Sequence, residues 1–141
     1  MNVASIGHIV IAVPDARLRD NQTAARVAVT AGVIFIVAGL VKFVFHHWEL
    51  HAFQSFGLPW PSALEIFAGA LEIVGGVMLT LRRWVAPAAA LLSATMIVAI
   101  GSSGIGHGDV IPSLTLAPAL LIAMLYLGYA VSRTTPAGPA T

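Results

Sequence analysis

Apolar residues in this chain come in four long runs, separated by short stretches in which charged, aromatic and turn-forming residues collect. The first run extends from about Ala24 to Phe45 and carries one charge, Lys42, near its far end. The second extends from about Ser62 to Leu81, after the turn-like Gly57-Leu58-Pro59-Trp60-Pro61, and stops at Arg82-Arg83. The third begins near Ala86 and fades by about Ser103 into a glycine-rich stretch, Gly101 to Gly108. The fourth covers about Ile111 to Val131, after which Arg133 precedes a Pro/Gly/Thr-rich tail. A helix needs about 20 apolar residues to cross a bilayer, so the pattern predicts four transmembrane helices, at 24–45, 62–81, 86–103 and 111–131. Pro87 and Pro112 fall at span starts, where a missing N–H costs nothing. Pro118 falls inside the fourth span, where a proline can kink a helix.

The fold class predicted is therefore all-α: a polytopic membrane protein with a four-helix transmembrane bundle over 24–131. Residues 1–23 form an N-terminal extension and 132–141 a short tail. The apolar stretch from Met1 to Val13 is too short to span and lacks the basic region and cleavage site of a signal peptide. Composition agrees with the pattern: 58% of the 141 residues are hydrophobic, 9% are charged, and the mean hydropathy is +0.91. Ordinary soluble domains are roughly 25% charged.

Charge changes the picture in one respect. Arg17, Arg19, Arg26, Arg82, Arg83 and Arg133 all fall on one side of the predicted membrane, and Lys42 lies towards the other. By the positive-inside rule both termini are expected in the cytoplasm. Trp48 and Trp60 then mark the outer interface, and Trp84, Tyr126 and Tyr129 the inner one. A net charge of +1 without a basic run gives no reason to expect a nucleic-acid partner. With no cysteine there are no disulfides, thiolate metal sites or thiol redox chemistry of the chain's own.

Small residues should mark the helix contacts, because lipid gives helices no hydrophobic reason to associate. Ala28, Ala31, Gly32, Ala38, Gly39 and Lys42 share one stripe of the first span. Glu65, Ala68, Gly69, Glu72, Gly75 and Gly76 share one stripe of the second. Both carboxylates are thus expected to point into the bundle. Ser62-Ala63-Leu64-Glu65 has the form of a capping box; an ion pair between Glu65 and Lys42 is a further role for the same carboxylate. Glu72 lies roughly 15 Å down the second span at ~1.5 Å per residue, where an ionised carboxylate costs at least ~2.5–3.5 kcal/mol. It is expected as a neutral acid without a full salt bridge, either hydrogen-bonded across the bundle or serving a ligand or a proton. Ser93, Thr95 and Thr115 are candidate hydrogen-bond partners. Lysine at position 42 is expected to snorkel outward. In His46-His47-Trp48-Glu49-Leu50-His51, the pair His47 and His51 has the i, i+4 spacing of a helical metal pair, which His107 of the other outer loop could complete.

Three segments, Gly32 to Phe43, Phe56 to Pro61 and Glu72 to Leu79, follow one another in an order that resembles the DoxX/DoxD-like family of small four-helix bacterial membrane proteins. Their shared features are a glycine-rich first helix ending Gly39-Leu40-Val41-Lys42, the Phe56-Gly57-Leu58-Pro59 loop, and Glu72-Ile73-Val74-Gly75-Gly76. The resemblance covers roughly residues 27–131. It implies a bacterial cytoplasmic-membrane location and places Lys42 and Glu72 at recurring polar positions. Founding members of the family are associated with the membrane part of a thiosulfate:quinone oxidoreductase, and others with membrane redox-stress assemblies. The expectation is an accessory or structural subunit of a larger respiratory or redox complex, not an enzyme on its own, with membrane lipids and other membrane subunits, an oxidoreductase among them, as partners. The alternative is a quinone-reactive or small-molecule-binding protein using an intramembrane carboxylate. No residue here supplies a redox centre, so electron transfer would need a bound cofactor such as quinone, or a partner.

Overall fold

A computed structural model describes residues 18, 21–55, 57, 59–105 and 113–133. The expectations for residues 1–17, for the tail beyond Arg133 and for His107 fall outside these. Four helices are long and apolar enough to cross a membrane. Helix α1 (Gln22–Val44) is followed, after a turn at Phe45, by the short α2 (His46–Ser55), then by α3 (Pro61–Thr80) and α4 (Val85–Ala99). A π-helical turn (Ile100–Ile105) extends α4, and α5 (Leu116–Arg133) completes the bundle. At 10 residues α2 cannot span; it lies at the end of the bundle where α1 gives way to α3.

Local chemistry sets most of these boundaries. Asn21 caps α1, its Oδ1 accepting a hydrogen bond from the Ala24 N–H at 3.0 Å, a standard use of Asn at a helix start. Helix α3 starts two residues earlier than the capping-box reading requires. Pro61 takes the first helical position, Trp60 precedes it in the left-handed region (φ 49°), and no side chain caps the helix. The predicted Ser62–Glu65 box is therefore not formed; proline's preset φ starts the helix instead. The fourth spanning helix begins later than the apolar run. Residues 113–115 form a turn, so Pro118 sits in the first turn of α5. There its missing N–H interrupts nothing, and the expected kink has no cause.

The helices form a closed ring in which α1 packs on α3, α3 on α4, α4 on α5, and α5 back on α1. Two kinds of seam hold it. Between α1 and α3 the backbones themselves touch. A Cβ on Gly32 would lie 2.6 Å from the Gly76 carbonyl oxygen, and one on Gly39 would lie 2.7 Å from that of Gly69. The two approaches are seven residues apart on both helices, so α1 and α3 run antiparallel in a fixed register. Elsewhere the interior is aliphatic, with Leu92 and Met96 of α4 and Leu120, Met124 and Leu127 of α5 all buried. Phe35 and Leu79 are fully buried as well. The outward faces carry exposed Val33, Val37, Ile66, Leu91, Ile122 and Leu125, as a lipid-facing surface requires. Trp60 and Trp84 stand exposed at opposite ends of α3 and its connection to α4, where aromatic residues meet headgroups.

Candidate functional site

The polar residues of the interior gather along the α1–α3 seam. Glu65 and Glu72 are seven residues apart on α3 and face α1. Their exposures are 1% and 4%, so the small-residue face does carry both carboxylates inward. Their partners differ from those expected. Lys42 Nζ lies 3.0 Å from Glu72 Oε2, whereas Glu65 Oε1 lies 2.9 Å from His46 Nδ1. Glu72 is thus paired directly with lysine, and the expectation of an unpaired neutral acid there is overturned. The expected Lys42–Glu65 pair is replaced by a His46–Glu65 pair.

Register explains the exchange. The Gly32–Gly76 and Gly39–Gly69 contacts fix the register: Ile36 lies beside Gly76, its backbone N 3.0 Å from a Cβ built there, and Glu72 lies beside Gly39. Lys42 is three residues farther out, about 4.5 Å along the axis. Its stem therefore runs inward along the seam instead of snorkelling to the nearer interface. An anion in the low-dielectric interior attracts the ammonium more strongly than a partly hydrated interface can. The glycines make room for the stem: Gly39 approaches Glu72 so closely that a Cβ there would lie 3.2 Å from the Glu72 Cβ. The ring of Phe43 covers Gly69 on the same seam. The Lys42 side chain is 18% exposed and that of Glu72 5%, so the pair is largely enclosed.

The pair nearer the surface is open on one side. His46 is the first residue of α2, and its side chain is 44% exposed while that of Glu65 is 2% exposed. Glu65 Oε2 is buried and has no hydrogen-bond partner among the described residues. Sequence reading named His46 only within the histidine segment and gave it no partner on α3. The signal for its actual role was its spacing, four residues beyond Lys42, which continues the α1 face that meets α3 into the start of α2.

The remaining candidates are not brought into the site. Ser93 and Thr95 donate to carbonyls of their own helix, Ala89 O at 2.7 Å and Leu92 O at 2.8 Å, as hydroxyls in membrane helices commonly do. Thr115 lies in the turn before α5. His47 and His51 are both exposed on α2. Among the described residues no three His, Asp or Glu side chains are grouped to hold a metal ion.

At the other end of the bundle Arg26 and Arg82 flank a shallow surface groove with Ala25, Val29 and Thr30. Arg133 stacks over the Tyr129 ring at 4.8 Å. The bundle is thus polarised, with guanidinium groups at one end and the Lys42, His46, Glu49 and Glu65 cluster at the other. A family model, DoxX, matches residues 22–107, a segment that holds the whole α1–α3 seam with the Lys42–Glu72 and His46–Glu65 pairs. No curated protein and no solved structure matches the chain.

Proposed function

This chain belongs to the DoxX family, and from that membership and its enclosed Lys42–Glu72 ion pair we propose that it is an accessory, structural subunit of a larger respiratory or redox complex in the bacterial cytoplasmic membrane. The observation that carries the reading is that Glu72, the carboxylate nearest the bilayer centre, is occupied by the chain's own Lys42. A carboxylate committed to a lysine across a glycine seam fixes how two helices sit. That is the work of a scaffold. A quinone-binding carboxylate would instead face a slot large enough for a ring. The exposed aliphatic faces of all four spanning helices suit lateral packing against other membrane helices.

Purification in mild detergent at native expression level, followed by mass spectrometry of co-purifying proteins and lipids, tests the reading. Oxidoreductase subunits are expected to co-purify with the wild-type chain and with Glu72→Gln, which keeps an oxygen facing Lys42. A bundle that purifies alone with bound quinone, and loses it in Glu72→Gln, would refute the scaffold and establish the quinone-binding alternative.

The arginine-rich end is assigned to the cytoplasm by the positive-inside rule, with both termini there. Cysteine introduced at His51 is expected to react with a membrane-impermeant thiol reagent applied to intact cells, and cysteine at Arg83 only after lysis. The reverse pattern would invert the orientation.

A further inference from the structure

Helix α3 closes with a backbone turn that glycine usually serves and arginine here occupies. The Arg82 N–H donates to the Leu79 carbonyl at 2.9 Å, and the Arg83 N–H to that of Met78 at 2.8 Å. These paired bonds end a helix through one left-handed residue just past its cap. Arg82 is that residue, with φ 53°. Glycine takes up this conformation freely, whereas a Cβ opposes it. Strain kept at a charged residue points to a use for its side chain. That side chain lines a groove shared with α1. A Cβ built on Gly32 would lie 2.9 Å from the Thr80 backbone N, and the helices are antiparallel, so residues before Gly32 lie beside those after Thr80. Arg26 and Arg82 thus come from separate helices to one groove, which Ala25, Val29 and Thr30 complete.

Positive-inside sorting accounts for arginine at this end of the bundle, and the dipole of α3 favours a cation at position 82. Neither accounts for two guanidinium groups sharing one apolar floor. Arg26 lies one turn into α1, whose first turn carries no acidic residue, so it stands near the positive end of that helix dipole. The described carboxylates, Glu49, Glu65 and Glu72, lie at the far end of the bundle or in mid-span. Among the described residues neither arginine therefore has an acid beside it, and the field over the groove is positive from both helices.

Depth and shape select the anion. The exposed Trp84 marks this end as headgroup level. From the groove, Val29, Val33 and Val37 follow at four-residue spacing on α1, all exposed, as a ridge running towards the bilayer centre. We propose that the Arg26–Arg82 groove binds an anionic phospholipid, with its phosphate on the two guanidinium groups and the Thr30 hydroxyl and one acyl chain along the valine ridge. A phosphate diester offers its charged oxygens to forked donors, and basic recesses between helices suit such headgroups. A zwitterionic lipid carries the same phosphate but brings a cation that the arginines repel. Free phosphate uses the arginines and leaves the ridge unused. The site requires only that the arginine end lie among headgroups; it does not depend on the chain being a subunit of a larger complex.

Native mass spectrometry of the full chain in mild detergent, titrated with phosphatidylglycerol or with phosphatidylcholine of the same acyl chains, tests the proposal. Phosphatidylglycerol is expected to bind about tenfold more tightly, or better. Arg26→Gln should weaken it by about fivefold, the usual effect of one basic residue at a membrane surface. Arg82→Gly should weaken it by the same factor while keeping or raising thermal stability, because glycine relieves the left-handed backbone. A chain that binds less lipid yet unfolds no earlier does not owe the loss to misfolding. Arg133→Gln, at the same end but stacked on Tyr129 and outside the groove, should leave the affinity unchanged. Equal affinity for the two lipids overturns the site, as does an affinity indifferent to both Arg26→Gln and Arg82→Gly. An equal loss in Arg133→Gln would reduce the groove to part of a diffuse basic surface. Displacement of the lipid by millimolar inorganic phosphate would make it a free-anion site and overturn the phospholipid assignment. If Arg82→Gly lowers stability, Arg26→Gln at its exposed helix position decides alone.

Discussion

Gly39→Ala is expected to destabilise the bundle by about 1–3 kcal/mol, the usual cost of forcing extra volume into a packed interior, and Gly39→Leu by more. The new Cβ would lie 2.7 Å from the Gly69 carbonyl oxygen and 2.7 Å from Ile73 Cγ1. Backbone cannot turn aside as a side chain can, so α1 and α3 must separate along the line that also holds Lys42 against Glu72. Gly76→Ala, with its Cβ 2.6 Å from the Gly32 carbonyl oxygen, should behave alike. At Gly75 the obstacle is the Leu92 side chain, at 2.9 Å, which can rotate, so the loss should be smaller. Gly128 meets nothing within 4 Å, and alanine there should be neutral or stabilising by up to about 1 kcal/mol through helix propensity. Denaturation in detergent, followed by circular dichroism, gives the order. Equal losses at Gly39 and Gly128 would show that backbone contact does not hold the seam.

Removing one partner of the buried pair should cost still more. Lys42→Met leaves Glu72 facing an apolar interior, a situation worth about 3–5 kcal/mol when a buried pair is broken from one side. Glu72→Met strands the ammonium, whose stem can swing outward to the interface, so its cost should be the lower of the two. The double variant should regain most of the loss, because two apolar groups of similar volume often replace a buried ion pair at little net cost. A double-mutant cycle on unfolding free energies isolates the coupling. Strictly additive losses would mean that the contact at 3.0 Å contributes nothing.

Both predictions depend on features of unequal legibility. The spanning helices were readable because long apolar runs admit few other structures in lipid. The inward faces of α1 and α3 were readable because glycine and alanine recur there at helical spacing. Helix ends were read less well. Ile111 to Thr115 is apolar enough to continue a span, and nothing in its composition distinguishes the turn at 113–115 from a first helical turn. At α3, two start signals competed, and the proline at 61 prevailed over the serine at 62. The site was half legible. Lys42, Glu65 and Glu72 were correctly assigned to facing stripes, but which acid meets which base depends on how far one helix is slid along the other. That offset follows from two glycine–glycine approaches, and a stripe of small residues does not say which pair will touch. The snorkelling rule then favoured the wrong direction for lysine, because it describes a helix alone in lipid.

That last difference bears on how the protein is made. Helix α1 leaves the ribosome before α3, and helices that insert independently associate only afterwards. Until α3 arrives, Lys42 has no anion at depth, and its ammonium belongs at the interface. Docking of α3 must therefore turn the lysine stem and draw its charge towards the bilayer centre. A newly inserted first helix is thereby kept from settling against an unrelated segment, since only a neighbour with a carboxylate at the depth of Glu72 can hold the lysine there. The ion pair thus favours α3 over any neighbour that lacks a carboxylate at that depth.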